Sequence, residues 1–115
     1  MRHITFEEMV EEHRQEFQRR AEEERRQGYR VTTMEFLDNR EKCKEQYKKE
    51  ILKHIRRKKV TTDMKIEEEL KLPFGLVISI LFELERKGKI TMTHGYGLVF
   101  SNEYLKRMVK GVDAE

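Results

Sequence analysis

VTTDMKIEEELKLPFGLVISILFELERKGKI, residues 60–90, is the stretch whose reading decides the fold. Thr62, Ile66 and Leu70 fall at four-residue steps, which puts one buried face on a helix of two turns. Val60 precedes it, and Thr61-Thr62-Asp63 supplies the helix start. Lys71-Leu72 predicts a tight turn, and Pro73 opens the next helix, where its missing N–H leaves no bond unmade. Val77, Ile80, Leu81 and Leu84 share one side of that second helix, and Gly88 stops it. Further on, Ile90, Met92, Leu98 and Phe100 alternate with Thr91, Thr93 and Val99 around Gly95-Tyr96-Gly97. Period-two alternation about a glycine-flanked tip predicts a β-hairpin with Leu98 and Phe100 on the face of Ile90 and Met92.

Upstream, Tyr47, Ile51, Leu52 and Ile55 form a helical stripe ending near Lys59. Downstream, Ser101-Asn102-Glu103-Tyr104 starts a short helix with Tyr104, Leu105, Met108 and Val109 on its apolar side, of a kind that packs back on its domain or pairs with a second copy. Taken in order, Val60-Thr61-Thr62…Ile66…Leu70-Lys71-Leu72-Pro73…Val77…Leu81…Leu84-Glu85-Arg86-Lys87-Gly88-Lys89-Ile90 resembles the winged helix-turn-helix superfamily. The pattern T…L…L-x-L-P…V…L…L-E-x-K-G-x-I describes its second helix, turn, third helix and first wing strand. The resemblance covers roughly residues 45–101 and names a superfamily, not a member.

Residues 1–40 resemble no such pattern. Thr5-Phe6-Glu7-Glu8 is a capping box, after which Phe6, Met9, Val10, His13, Phe17 and Ala21 draw a narrow apolar stripe. Gly28 supplies a helix stop. The remaining residues are largely Glu and Arg, so this helix needs Phe6, Met9, Val10 and Phe17 docked on something. Thr32-Thr33-Met34-Glu35 repeats the capping pattern, and Asp38-Asn39-Arg40-Glu41 either starts a new helix or lies inside a longer one. The expected fold is mainly α with a small β-hairpin: a helical, charged N-terminal arm over 1–40 and a winged helix domain over 41–115.

The charge is uneven along the chain. Its 115 residues carry a formal net charge of +3, but residues 1–41 hold 8 Lys/Arg against 11 Asp/Glu while residues 42–60 hold 9 against 2. The basic character is therefore one short helical block. No run is apolar enough for a membrane span, and the N-terminus shows no signal-peptide core. The single cysteine, Cys43, excludes an internal disulfide and suits a reducing cytosol.

In a typical helix-turn-helix the third helix enters the major groove and its N-terminal half reads base edges. The resemblance maps Phe74, Gly75, Leu76, Ile78, Ser79, Phe82 and Glu83 onto that face. None of these is Lys, Arg, Asn or Gln, and four are large and apolar. Helix two carries Glu67-Glu68-Glu69, with Glu67 where the superfamily usually has Ala, and the wing tip offers only His94. A helix apolar on nearly every side is usually buried, so Phe74, Ile78 and Phe82 are expected to be covered by the arm, a second copy or another protein. Phe74, Leu76, Ile78 and Phe82 are thus candidate protein-interaction residues.

Lys53, Arg56, Arg57, Lys58 and Lys59 cluster at one helix end, and Arg86, Lys87 and Lys89 at another. Together they are the candidate nucleic-acid-binding residues, able to hold phosphates without reading sequence. The bland alternative is a solvated face whose cations suit helix C-termini.

His3, His13, His54 and His94 are scattered without metal-ligand spacing, so no metal and no cofactor is expected. Lys42 and Lys44 flank Cys43 and would pull its pKa down, but no His or acid completes a catalytic set; a half-buried structural thiol is the expectation. Gly95-Tyr96-Gly97 joins two strands and is no phosphate loop. The triplets Glu22-Glu23-Glu24 and Glu67-Glu68-Glu69 fan out around helices and cannot pair on one substrate. The sequence thus leads to a non-enzymatic DNA-associated regulatory or accessory protein, binding DNA with weak specificity, with a homodimer as one arrangement it allows. Its rival is an adaptor that uses the apolar third helix to hold a protein partner.

Overall fold

The computed structural model describes residues 4–93 and 95–113. His3 and His94 lie outside the described residues, as do the side chains of Phe6, Val10 and residues 110–113. The chain runs α1 (Phe6–Glu12), α2 (Arg14–Arg26), α3 (Thr33–Asp38), α4 (Arg40–Lys58), β1 (Val60–Thr62), α5 (Asp63–Leu70), α6 (Phe74–Arg86), β2 (Ile90–Thr93), β3 (Leu98–Ser101) and α7 (Asn102–Asp113). It is therefore a mainly helical chain with one small antiparallel sheet.

The expected hairpin is part of a three-stranded sheet in the order β1-β3-β2. Val60–Thr62, read from sequence only as the approach to a helix, forms the third strand. It pairs antiparallel with β3, Val60 opposite Phe100 and Thr62 opposite Leu98. Thr62 then does double duty: its side chain accepts from the Lys65 N–H and caps α5.

The hairpin's inward face differs from the alternation expected. Met92 stands opposite Val99 and Ile90 opposite Ser101. Directly opposed residues share a face, so Val99 and Ser101 turn inward and are buried while Leu98 and Phe100 are only half-buried. The turn sets this register. Tyr96 and Gly97 donate their N–H groups to the Thr93 carbonyl, and Gly97 has a positive φ of 66°.

Apolar spacing locates the helical core correctly: Ile51, Ile55, Ile66, Val77, Ile80 and Leu81 are all fully buried, each contributing about 1.5–3 kcal/mol of transfer free energy. Leu72, read as a turn residue, and Leu76, read as a groove-facing one, are fully buried as well. Gly28 and Gly88 end α2 and α6 at positive φ, with the Tyr29 N–H on Glu24 and the Lys89 N–H on Leu84 closing the last turns.

The single amphipathic stripe expected from Phe6 to Ala21 is broken at His13, where α1 ends and α2 begins. Ala21 is buried, but Met9 stays 40 % exposed. The following segment is tied in firmly. Val31 and Phe36 belong to the core cluster. Glu24, buried on α2, accepts from the backbone N–H of Thr33 at 2.9 Å and from its hydroxyl at 2.7 Å, holding the start of α3. Arg30 forks onto Glu50 of α4, with one bond at 2.9 Å, and lies over the Tyr47 ring. Tyr29 donates to Glu67 of α5 at 2.7 Å. Glu67 thus receives the incoming segment. Burial, then this bond, pushes the Tyr29 hydroxyl up to about 12.

Candidate functional site

Two helix ends and the start of a third meet at one edge of the sheet. The C-termini of α4 and α6 lead directly into β1 and β2, the two strands that flank β3. The Ser101 N–H donates to the Lys59 carbonyl at 2.9 Å, and the next N–H, of Asn102, donates to the Lys89 carbonyl at 3.2 Å. Asn102 Nδ2 also donates to the Gly88 carbonyl at 2.8 Å, while its Oδ1 accepts from Thr91. The junction of β3 and α7 is thus a clamp across both cationic helix ends. Strands flanking a common neighbour are about 10 Å apart, which sets the spacing of Lys59 and Lys89.

Lys53, Arg56, Arg57, Lys58, Lys59, Arg86, Lys87 and Lys89 are all exposed. Five of them have partners. Arg56 pairs with Glu103 at 3.5 Å, Lys58 with Glu69 at 3.0 Å and Lys87 with Glu83 at 3.1 Å. Arg57 donates to Nδ1 of the buried His54 at 2.9 Å, and Lys59 lies over the Tyr104 ring at 6.0 Å. The ion pairs are surface pairs worth under about 1 kcal/mol each, so phosphate exchanges for carboxylate at little cost. Lys53, Arg86 and Lys89 form no ion pair with any described residue. Sequence reasoning missed Lys106 and Arg107, both exposed on α7 beyond the clamp. Their signal was the i+3 and i+4 spacing from Glu103, on the helix that the sequence already starts at Ser101-Asn102.

Lys59 has a backbone φ of 70° and ψ of −51°, a combination that is rare and strained for a residue with a Cβ. It is held there because its N–H bonds the Ile55 carbonyl at 2.8 Å and its carbonyl is taken by Ser101. The strain falls at the centre of the cationic edge.

The apolar candidates separate from one another. Leu76 is 0 % exposed and belongs to the core, so it is unavailable to a partner. Ile78 is half-buried and packs against the core. Phe74 and Phe82, expected to be covered, are 39 % and 46 % exposed. Gly75 faces α3: a Cβ there would lie 3.3 Å from the Phe36 ring. Glu83, mapped to the groove side, turns instead toward α4, within 3.9 Å of Lys44 and 3.7 Å of Lys48. Lys87, then its neighbours, holds the Glu83 carboxyl below the usual 4.5.

Cys43 is buried, not half-buried, with Sγ 4.0 Å from the Glu35 carbonyl. Burial pushes its thiol pKa up and Glu35 adds to this, outweighing Lys42. The flanking lysines therefore do not activate it. Among the described residues there is no group of three metal-ligating side chains, and no helix is long and apolar enough to cross a membrane. Comparison with protein-family models, curated proteins and solved structures finds no match.

Proposed function

We propose that this chain is a winged helix-turn-helix protein that holds duplex DNA by its phosphates, as a regulatory or accessory protein and not as an enzyme. The order α4-β1-α5-α6-β2-β3, with β3 between the other two strands, supports the winged-helix reading. The observation that carries the function is the clamp at Ser101 and Asn102. It fixes Lys59 and Lys89 on either side of one strand, with Arg56, Arg57 and Lys58 on the preceding turn.

The mode of contact differs from groove insertion. The N-terminal half of α6 carries buried Leu76 and is packed by α3 at Gly75. The exposed groove-side positions of α6, Phe74 and Phe82, are apolar, and the Ser79 hydroxyl donates to the Gly75 carbonyl, so that side of the helix has no free polar side chain aimed at base edges. Binding therefore rests on phosphates and is weakly specific. Titrating a labelled random duplex by fluorescence anisotropy at several salt concentrations tests this. Arg56→Ala with Lys89→Ala, one cation from each helix end, should weaken binding to all sequences alike. The slope of log affinity against log salt should fall by about 1.8, or 0.9 per lost contact. Absence of binding at low salt overturns the reading, and a loss confined to one sequence overturns the phosphate mode.

A second reading rests on Phe74 and Phe82, which are half-exposed aromatics eight residues apart on one stripe of α6. In it, the frame is an adaptor and this stripe holds a protein partner. Phe74→Ser with Phe82→Ser would abolish partner capture and leave duplex binding intact.

A further inference from the structure

Beyond binding to DNA, we propose that copies of this chain associate head to tail, the acidic α1 of one docking on the cationic α7 end of the next. Two surfaces at opposite ends of α4 carry the argument. α1 contributes Glu7, Glu8, Glu11 and Glu12 and no cation, with Met9 half-exposed and Ile4 54 % exposed just before it. At the other surface the first turn of α7 meets the cationic end, Glu103 pairing with Arg56 and Tyr104 lying under Lys59, and further along α7 Lys106 and Arg107 are exposed, with Met108 50 % and Val109 60 % exposed. Each end thus combines an apolar strip with a charged margin, and the margins have opposite sign. This is the anatomy of a protein–protein contact, apolar at its centre and polar at its rim.

The fold keeps the two ends of one chain apart. Glu7 and Glu11 line a hollow with Arg14, Leu37, Asp38, Arg40 and Glu41 at the start of α4; Arg14 pairs with Glu11 at 3.3 Å, and acids still outnumber cations there. The cationic end lies where α4 finishes, 19 residues on, or about 28 Å along the helix axis. That is nearly three Debye lengths at about 0.1 M salt, so the acidic helix cannot neutralise its own cationic end. A second copy can. Because the two surfaces differ, the contact is heterologous and propagates past the dimer unless it closes into a ring. One short helix against another covers little area, so the association is weak and salt-sensitive.

Sedimentation velocity on nuclease-treated protein tests this at low salt and at about 1 M salt, where the Debye length is about 3 Å. The mass should rise with concentration beyond that of a dimer at low salt and return to the monomer at high salt. Glu11→Lys with Glu12→Lys should abolish association, and so should Lys106→Glu with Arg107→Glu. Mixing the two variants should restore it, since each reversed surface then meets a complementary one. The α1 variant leaves the cationic surface untouched, so its duplex binding reports on the functional reading separately, and circular dichroism reports on the folding of both variants. A monomer at every concentration overturns the proposal. So does association that survives the α1 variant, which would mean that α7 or α6 pairs with its own copy.

Discussion

At Lys59 local strain and position coincide. A glycine adopts its backbone angles without a Cβ penalty, so Lys59→Gly should raise stability by about 1 kcal/mol, or about 4 °C in melting temperature for a chain of this size. The same change removes a cation from the clamp and should weaken duplex binding. A melting temperature that falls would mean that the contact with Tyr104 outweighs the strain. Glu24 works in the other direction. Its carboxylate is buried and takes two bonds from Thr33, so Glu24→Ala leaves two donors at the start of α3 without their partner and should cost about 2–3 kcal/mol, read as a lower denaturant midpoint with unchanged slope. Titration adds a third residue-scale test. Arg30, Lys58 and Lys87 hold the carboxyls of Glu50, Glu69 and Glu83 below their ordinary 4.5. A carboxyl depressed in the folded state stabilises it above 4.5 and loses that contribution as pH falls through the folded value. Thermal melts should therefore hold steady above 4.5 and decline in more acidic buffer, with a shallower decline in Glu50→Gln.

Between elements, α3 packs against α6. Phe36 is buried over Gly75, where an added Cβ would lie 3.3 Å from its ring. Gly75→Ala gains about 1 kcal/mol of helix propensity against a contact that asks the Phe36 ring to give a few tenths of an ångström, so it should be close to neutral. Gly75→Leu should instead lift α3, seen as faster amide exchange over residues 33–38 with the sheet still protected. What the sequence made legible follows the same division. Ile66 on α5, or Val77, Ile80, Leu81 and Leu84 on α6, declare themselves because a helix repeats its buried face within a few residues, whereas Thr62 and Leu70, read as part of that face, are only half-buried. Three features stayed hidden because each depends on a partner distant in sequence. β1 is three residues long and exists only through β3. The inward turn of Val99 and Ser101 is set by register across the hairpin, against the apolar appeal of Leu98 and Phe100. The burial of Leu76 and the sideways turn of Glu83 are decided by α3 and α4. Of the candidate site, sequence showed the cations but not the clamp that spaces them, since Ser101 and Asn102 act through backbone groups that every residue possesses.

At the scale of the whole molecule, the chain is longer than its mass requires. Its Cα radius of gyration is 16.8 Å and its long dimension 59 Å, whereas a compact domain of this length has a radius near 13 Å. The excess has consequences for stability that depend on where the chain is shortened. α1 leaves Met9 40 % exposed and docks at the mixed-charge hollow beside Leu37, so little of the described apolar surface is lost with it. A chain begun at residue 13 should therefore melt within about 4 °C of the full protein, the equivalent of about 1 kcal/mol. A chain begun at residue 40 loses Val31, Met34 and Phe36, all buried. Deleting one buried phenylalanine side chain alone costs about 3–5 kcal/mol, a large share of the 5–15 kcal/mol typical of a whole domain. The shorter chain should fail to give a cooperative melt. If instead it melts like the parent, α3 is an ornament on a self-sufficient cationic domain, and the argument that α3 keeps α6 out of the groove fails with it. If the chain begun at residue 13 is stable, binds duplex as the parent does and no longer associates at low salt, then α1 belongs to assembly and the clamp to DNA, each separable from the other.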